Sequence, residues 1–417
     1  MITLEKLDNG IRVVMERMDG CRSVAIGAWV KAGSVDENSG ENGITHFIEH
    51  MLFKGTSSRS AKDIAVEMDA VGGNLNAFTA KECTCFYANI LDEHVDLAVD
   101  VLADMIMNPR LDPDDIGREK GVVIEEIHMT GDIPEDLVQE TLAGLLYAGD
   151  PLARPILGKE ETVESFTRES ILGYMHRRYT PDNIVISCAG NFEREKLMDE
   201  LNKRFGRISP SHDGSTRVYG EKRGARLFKS IEKDIGQVQI CMGLPGFAVG
   251  EAGQYPLGVL SNAFGGSMSS RLFQHIREDS GMAYSVYSFT SSYSVTGSFG
   301  MYAGTSEKQA PKVLDALMNE IENVKRSGIT PDELERSKEQ MKGSYIIGFE
   351  GTSAHSSANG KAMLLRNKLY SSDDVIRKID GVTMDDINDI IPHVFDADRL
   401  CAAFVGKGTQ KLADSFK

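Results

Sequence analysis

The spacing of apolar and polar residues divides the chain into predicted strands and helices. The first 18 residues, MITLEKLDNGIRVVMERM, alternate apolar and polar side chains around a turn at Asp8, Asn9 and Gly10, which predicts a β-hairpin. Apolar stretches such as SVAIGAWVKAG and QVQICMGLPGF predict further strands, whereas DLAVDVLADMIMNP and APKVLDALMNEIENVKRSG predict amphipathic helices. Hairpins with partly grouped helices favour an α+β fold, in which helices pack on a largely antiparallel sheet.

The pattern also repeats along the chain. LDPDDIGREKGVVIEEI (111–127) recurs in outline as ITPDELERSKEQMKGSY (329–345), at an offset of 218 residues. TRESILGYMHRRYTPDNIVISCAGN (167–191) recurs as TMDDINDIIPHVFDADRLCAAFVGK (383–407), at an offset of 216. Two matches in nearly the same register predict two copies of one structural unit.

The repeat predicts a domain over 1–215 and a homologous domain over 216–417, joined in the polar stretch 209–224. A chain of 417 residues is long enough for two such domains.

Composition excludes some classes of protein. The chain is 41% apolar and 26% charged, and no apolar run approaches the roughly 18 residues of a membrane span. Its formal net charge of -16 argues against binding to nucleic acid or to an anionic membrane, and would suit a basic ligand if the acids line a cleft. No secretory signal opens the sequence, and the six scattered cysteines are interpreted as mostly buried free thiols, so we expect a cytoplasmic protein.

The stretch GITHFIEHMLFKGT (43–56) carries the strongest chemical signal. At about 100° per residue, His46, Glu49 and His50 share one face of a helix. Two imidazoles one turn apart can bind a single Zn²⁺, and the carboxylate beside them can take a proton from a bound water. The alternative is a solvated polar face that arose by chance. The second half has no such motif, since its corresponding region reads NAFGGSMSSRLFQHIRE, so a metal is predicted in the first half.

A third ligand is expected on the predicted helix DPDDIGREKGVVIEEIHMT (112–130). Its apolar stripe is formed by Ile116, Val123, Ile124 and Ile127. Glu125 faces away from this stripe, whereas Glu119 and Glu126 lie on its edge and are expected to be half-buried. A carboxylate in such a place needs a cation or a hydrogen-bond donor, either a metal or a Lys or Arg at the rim.

At this point the sequence resembles a known family. The inverted H-x-x-E-H motif marks the inverzincins, and THFIEHMLFKGT and GMAYSVYS closely resemble the pitrilysin family, in particular its mitochondrial-processing-peptidase branch. The resemblance covers essentially the whole chain. It implies one Zn²⁺ per chain held by His46, His50 and Glu126, because Glu126 lies 76 residues beyond His50, as the family's third ligand does. It also implies that Glu49 deprotonates the metal-bound water and that Glu119 supports activity.

The resemblance carries an expectation about architecture and partners as well. Each half should be a mostly antiparallel sheet of about six strands with helices packed on it. Two such chains, or one chain twice as long, enclose a peptide chamber like a clamshell. One chain would therefore be half a clamshell, and we expect a homodimer acting on unfolded peptides, with a paralogous partner chain as the alternative.

The second half is expected to contribute to the chemistry. Arg277 and Tyr284 match the Arg/Tyr pair that the family's C-terminal half lends to the active site, where a cationic or phenolic donor stabilises the oxyanion. From the sequence alone, Arg277 could equally be a surface helix residue and Tyr284 a core aromatic.

Substrate contacts are predicted in two places in the first half. GGNLNAFTAKECTCFYANI (72–90) is interpreted as one strand, which in the family is the sheet edge to which an extended peptide adds. Asn76 and Ala77 are the positions expected against substrate. Phe53 matches the family aromatic that lines the pocket just past the cut.

A basic residue before the cut is also expected to have a binding site. Asp136 and Glu140 lie 10 and 14 residues beyond the third ligand. In the mitochondrial enzyme, acidic residues at these distances receive an arginine two residues before the cut. The alternative is a solvated acidic helix start, favoured by the helix dipole.

These expectations together predict a zinc endopeptidase of the processing-peptidase type, cytoplasmic and bacterial. One rival is a noncatalytic scaffold, because the family includes core subunits of respiratory complexes that have lost the site. The other is a small-metabolite hydrolase, since a related H-x-x-E-H fold does such chemistry, although a duplicated chain of 417 residues is larger than that needs.

Overall fold

The computed structural model describes residues 2–209, 217, 219 and 225–416, which form two compact units. The first unit consists of Met1–Ile127, Arg154–Val218 and Gly348–Tyr370, and the second of His128–Ala153, Tyr219–Ile347 and Ser371–Lys417. Each unit thus contains one segment from the other half of the sequence. Most of the predicted joining stretch, 209–224, lies outside the described residues.

The first unit contains a six-stranded sheet. Its strands are β1 (Ile2–Lys6), β2 (Arg12–Arg17), β3 (Ser23–Val30), β4 (Asn74–Thr79), β5 (Thr84–Leu91) and β6 (Ile184–Gly190). They are ordered β1-β2-β6-β3-β5-β4, and only the pair β2 and β6 is parallel. The predicted N-terminal hairpin is confirmed, since β1 and β2 are antiparallel neighbours.

The second unit contains a five-stranded sheet. Its strands are β7 (Phe228–Glu232), β8 (Val238–Gly246), β9 (Ala283–Ser292), β10 (Gly297–Thr305) and β11 (Cys401–Gly406). They are ordered β7-β11-β8-β10-β9, with one parallel pair, β7 and β11. This order repeats β2-β6-β3-β5-β4 strand for strand, so the predicted duplication and the α+β class are confirmed. Only β1 lacks a counterpart among the described residues.

Fifteen α-helices accompany the two sheets in the described part of the chain. They are α1 (Ile44–Leu52), α2 (Ala61–Asp69), α3 (Val95–Met107), α4 (Pro113–Asp132), α5 (Pro134–Leu146), α6 (Glu160–Ser165), α7 (Arg168–Arg178), α8 (Arg194–Phe205), α9 (Gln254–Ser261), α10 (Ala310–Ser327), α11 (Pro331–Gly348), α12 (Thr352–Arg366), α13 (Ser372–Asp380), α14 (Met384–Val394) and α15 (Thr409–Phe416). Judged over these described helices, not one combines the length and the apolar character needed to cross a membrane.

The interpretation of 72–90 as one strand is wrong. The segment is a hairpin of two antiparallel strands, β4 and β5, and the Ala80 N–H donates to the Cys83 carbonyl across the turn. The turn reverses the chain, so β4 becomes the edge of the sheet while β5 is covered on both sides by β3 and β4.

The helices α5 and α12 pack on their sheets in different ways. The buried α5 side chains Val138 and Leu142 contact apolar side chains of the second unit's sheet. In the first unit, α12 contacts β2, β3 and β6. The contacts include a Ser356–Ser187 hydroxyl hydrogen bond of 2.9 Å, and the buried Met363 and Leu364 side chains of α12 join an apolar cluster with residues of all three strands. The backbone of Gly360 lies directly against the Trp29 indole. A glycine at this position is required by that close approach.

Candidate metal centre

Helix α1 carries the H-x-x-E-H motif, and its first turn is fixed by buried contacts. It begins after Gly43, which has φ 95°, and a Cβ there would lie 2.6 Å from the Leu157 carbonyl oxygen. The buried Glu37 carboxylate accepts hydrogen bonds from the backbone N–H groups of Gly43 (2.8 Å) and Thr45 (3.0 Å). These bonds satisfy donors that a helix N-terminus leaves open. Burial raises the pKa of Glu37 to about 7, although its hydrogen bonds act in the opposite direction.

The two faces of α1 divide as predicted. Phe47 and Ile48 are fully buried in the core of the first unit. His46, Glu49 and His50 lie on the opposite face, and the two imidazole centroids are 4.5 Å apart. The core therefore holds α1 by its apolar face and leaves the polar face available for chemistry.

Helix α4 brings the third predicted ligand to the same place. The Glu126 Oε2 atom lies 3.7 Å from His46 Nε2 and 3.5 Å from His50 Nε2. One ligand atom from each of the three residues lies within 4.8 Å of the other two, and among the described residues this is the one His, Cys, Asp or Glu group of three with that geometry.

The geometry of this cluster fits Zn²⁺. Tetrahedral zinc with bonds of about 2.0–2.1 Å to nitrogen and oxygen separates its ligand atoms by roughly 3.4 Å. The two measured separations, 3.5 and 3.7 Å, are close to that value. Two imidazoles and one carboxylate are also a ligand set found in catalytic zinc sites, where the fourth position stays open.

The protonation of the two histidines differs. Burial, with a smaller contribution from the neighbouring His50, lowers the pKa of His46 to about 4, so His46 is neutral and has a lone pair for a metal. Burial would also lower the pKa of His50, but the hydrogen bond with Glu119 and the charges of nearby glutamates outweigh it and raise that pKa.

Glu119 contacts His50 at Nδ1, the ring nitrogen that does not face Glu126. It is buried, whereas the sequence predicts a half-buried residue. Its Oε1 atom lies 2.8 Å from His50 Nδ1, and its Oε2 atom lies 2.6 Å from the Nζ of Lys54. Burial alone would raise the pKa of Glu119, but the hydrogen bonds from His50 and Lys54 lower it, so the carboxylate is ionised. Lys54 was missed by the sequence analysis, although its place four residues after His50 is a signal that could have suggested it.

Glu49 has a hydrogen-bond donor of its own. The Thr79 hydroxyl donates to Glu49 Oε2 at 2.5 Å, which leaves the other carboxylate oxygen for a substrate or water. Burial raises the pKa of Glu49 in spite of this hydrogen bond. A glutamate with a raised pKa is better matched to proton transfer near neutral pH. No sequence pattern pointed to Thr79, because its contact depends on how β4 passes α1.

The predicted substrate residues of the first unit lie along the sheet edge. In β4, Asn76 is exposed and Ala77 half-buried, and the strand pairs only with β5 among the described residues. Phe53 lines a small cavity of about 210 Å³ together with residues of α2 and the start of β4, including Ile64 and Leu75. The structure therefore places Phe53 beside the edge strand.

The predicted acidic pair lies in the second unit. Pro134 is the first residue of α5, as predicted, with Asp136 exposed and Glu140 half-buried one turn later. Their neighbour Glu135 accepts a hydrogen bond of 2.7 Å from the Tyr287 hydroxyl. The role of Asp136 and Glu140 stays a prediction.

Arg277 and Tyr284 also lie in the second unit and are neighbours. Arg277 belongs to a π-helical segment, Phe273–Glu278, and its guanidinium carbon lies 5.6 Å from the centre of the Tyr284 ring. Tyr284 is 75% exposed, so the alternative of a core aromatic is wrong. Whether the pair acts on the metal centre stays a prediction.

Comparisons with known proteins agree with this arrangement. The family model described as Insulinase (Peptidase family M16) matches residues 12–160, which include all three candidate ligands. The model described as Peptidase M16 inactive domain matches residues 165–341, in the half that lacks the motif.

Relatives match over nearly their full length. The chain is 43% identical to a Bacillus subtilis protein named uncharacterized zinc protease YmxG, over 98% of this chain and 99% of that protein. It is 37% identical to a Mycobacterium tuberculosis protein that is also named uncharacterized zinc protease, over 96% of this chain and 92% of that protein.

Solved structures show the same fold at low sequence identity. A protease from Helicobacter pylori matches with a TM-score of 0.90 and 21% identity, over 97% of this chain and 99% of that one. A chain of Complex III2 from Candida albicans matches with a TM-score of 0.83 and 20% identity, over 97% and 96%. The fold alone thus occurs in proteins of more than one kind.

Proposed function

The chain belongs to peptidase family M16, and on that premise we propose that it is a zinc endopeptidase whose metal is held by His46, His50 and Glu126. The observation that carries the proposal is the convergence of these three side chains, from two helices, within 4.8 Å of one another. When bound there, Zn²⁺ would polarise a water molecule and the carbonyl of the scissile peptide.

Glu49 is the proposed general base and then the general acid. It is partly buried next to the metal ligands, its pKa is raised by burial, and Thr79 occupies one of its two carboxylate oxygens. The other oxygen can accept a proton from the attacking water and deliver it to the leaving amine. Such a positioned acid–base group contributes typically about 10²–10⁴-fold to the rate.

The edge strand β4 is the proposed substrate platform. Its outer side has no strand partner among the described residues, so an extended peptide can add to it through backbone hydrogen bonds. Thr79, at the end of the same strand, contacts the base, and the Phe53 cavity opens beside the strand's start. Such binding places little demand on substrate sequence and requires an unfolded segment.

Specificity is proposed to favour a basic residue before the cut and a large apolar residue after it. Asp136 and Glu140 on α5 would receive the basic side chain, and the cavity beside Phe53 would receive the apolar one. Cleavage maps of a mixed peptide library should show both preferences. Asp136→Asn with Glu140→Gln should weaken the first preference only, and maps that are flat for basic residues would remove this assignment while leaving the zinc site intact.

Assembly is proposed to be dimeric, because one chain corresponds to half of a family chamber. Arg277 and Tyr284 would then complete the site as oxyanion donors. Full peptidase activity in a 45.7 kDa monomer at assay concentration would contradict the dimer.

The central test separates the base from the ligands. Glu49→Gln should retain zinc and lower turnover about 10²-fold or more, whereas His50→Ala and Glu126→Ala should lose the metal. Glu125→Ala, one residue from Glu126 on α4 but exposed, is the matched control and should keep both zinc and turnover. Metal analysis and peptide cleavage on the same preparations distinguish these results. Equal metal loss in the Glu49 and ligand variants would remove Glu49 from the role of base.

The scaffold alternative is disfavoured by the intact cluster. The term inactive in the second family description applies to residues 165–341, outside all three candidate ligands. A chain that binds zinc stoichiometrically but cleaves no unfolded peptide would favour the scaffold.

A further inference from the structure

The two candidate histidine ligands differ in the hydrogen bonding of their Nδ1 atoms. His50 Nδ1 contacts Glu119 at 2.8 Å, whereas His46 Nδ1 is buried and has no hydrogen-bond partner in the described part of the chain. A metal-bound imidazole is ordinarily oriented by a hydrogen bond at its other ring nitrogen. Of the two imidazoles, only that of His50 is therefore oriented by a hydrogen bond with a described residue, which is Glu119.

Glu119 in turn depends on Lys54. The carboxylate is only 5% exposed, and its two oxygens have separate partners, Oε1 with His50 and Oε2 with the Lys54 ammonium at 2.6 Å. Lys54 lies two residues beyond the end of α1, and its N–H donates to the Met51 carbonyl at 3.1 Å, so the lysine backbone is attached to the last turn of the helix that carries His50. Both carboxylate oxygens of Glu119 are thus held by side chains at the C-terminal end of α1 or just beyond it.

We propose that Lys54 is a positioning residue of the metal centre, which fixes the Glu119 carboxylate so that Glu119 orients His50 for Zn²⁺. The inference rests on the proposed zinc site and extends it by one residue. Lys54 does not touch the metal ligands' donor atoms; it acts through Glu119. Without the ammonium, the Glu119 carboxylate keeps only its hydrogen bond with His50, so the orientation of the His50 ring is less tightly fixed.

The direction in which zinc affinity changes when Lys54 is removed distinguishes a positioning role from a purely electrostatic one. A lysine near a metal site repels a dication, so its removal should strengthen zinc binding if charge alone mattered. Positioning predicts the opposite, a weaker zinc complex after removal of Lys54. Loss of an outer partner of a metal ligand typically weakens metal affinity about 10–100-fold.

The experiment measures zinc affinity of the full-length, metal-depleted chain by competition with a chelator. Lys54→Met and Lys54→Gln should weaken zinc binding roughly tenfold, and Lys54→Arg should stay close to the wild type. Lys342→Met is the matched control, because Lys342 is also an ion-paired lysine, 2.6 Å from both Glu339 and Asp380, but lies in the second unit. It should leave the affinity unchanged.

A double-mutant cycle tests whether Lys54 acts through Glu119. Glu119→Gln should weaken zinc binding about 10–100-fold, and adding Lys54→Met to it should cause no further loss. Unchanged or tighter binding in Lys54→Met and Lys54→Gln, or losses that simply add in the double variant, would overturn the inference. A wild-type chain that binds no zinc would instead overturn the proposed function itself.

Discussion

Gly360 in α12 offers a direct test of how that helix packs. A Cβ built on Gly360 would lie closer than 3.0 Å to three atoms of the Trp29 indole, a separation that real Cβ atoms do not show. Trp29 is 1% exposed, so the ring cannot move into solvent, and its Nε1–H donates to the Ser187 hydroxyl at 2.9 Å. Gly360→Ala should therefore cost about 1–3 kcal/mol for overpacking and about 1 kcal/mol for the disturbed hydrogen bond. Alanine's better helix propensity offsets about 0.5–1 kcal/mol of this, which leaves a net loss of roughly 1–3 kcal/mol.

The assay measures the stability of the first unit through the fluorescence of the protein's one tryptophan. Trp29 is the single tryptophan and lies in the first unit, so its fluorescence during urea unfolding reports the stability of that unit. Gly117→Ala is the matched control, because Gly117 is also a helical glycine of the first unit but has no atom within 4 Å of its built Cβ. The control should stabilise the unit by about 0.5–1 kcal/mol, through reduced backbone freedom in the unfolded chain. Equal urea midpoints for Gly360→Ala and the wild type would refute the packing described for α12.

Three further predictions follow from other contacts. Thr79→Val should lower kcat about tenfold without loss of zinc, because it removes the 2.5 Å hydrogen bond to Glu49. Thr79→Ser keeps a hydroxyl and should keep most activity, whereas a normal kcat in Thr79→Val would contradict a role for this hydrogen bond in catalysis. Burial would raise the pKa of Glu333, but hydrogen bonds from Arg271 and a backbone N–H lower it to about 2. After solvent screening, the ionised carboxylate should stabilise the fold by about 1–2 kcal/mol above its ordinary pKa, and this stabilisation should be lost as the pH falls toward 2; Glu333→Gln should show a correspondingly weaker acid dependence of stability, and an identical dependence would refute it. If free zinc is first set at about 100 times its Kd, removing it with a chelator should lower the unfolding free energy of the first unit by about 3 kcal/mol. An unchanged urea midpoint of the Trp29 fluorescence would show that the metal is not bound in this unit.

Much of the candidate site could be predicted because helices follow a fixed rotation per residue. The spacing of His46, Glu49 and His50 put them on one face of α1, and the apolar stripe of α4 put Glu119 and Glu126 at its edge. The structure brings the two histidines, Glu119 and Glu126 together, and Glu49 is close enough to interact electrostatically with His50 and Glu126. The N-terminal hairpin was predictable for a similar reason, since alternation and an Asn-Gly turn are local signals.

Other features depend on contacts between distant segments. Nothing in the sequence of α5 specifies which of two similar sheets receives its apolar face. The buried face of α12 has large apolar residues only near its end, Met363 and Leu364, and small or polar residues elsewhere, so hydrophobic spacing does not indicate the whole face. The hairpin of β4 and β5 was misinterpreted because its turn at Ala80 contains neither glycine nor proline. Thr79 is the last residue of β4, directly before that turn, so its contact with Glu49 could not be predicted before the hairpin was known.

The needs of folding alone do not explain why the side chains of the candidate metal centre lie together, because their charges oppose folding. The second unit forms the same strand order without a comparable group of ligands among its described residues. In the first unit, Glu49, Glu119 and Glu126 lie close together around two imidazoles, with Lys54 as the cation that pairs with Glu119. Partly buried carboxylates that repel one another oppose folding. A divalent cation would balance the charge of three carboxylates and one lysine, which is a physical reason to expect these residues at a metal site and not elsewhere in the duplicated fold.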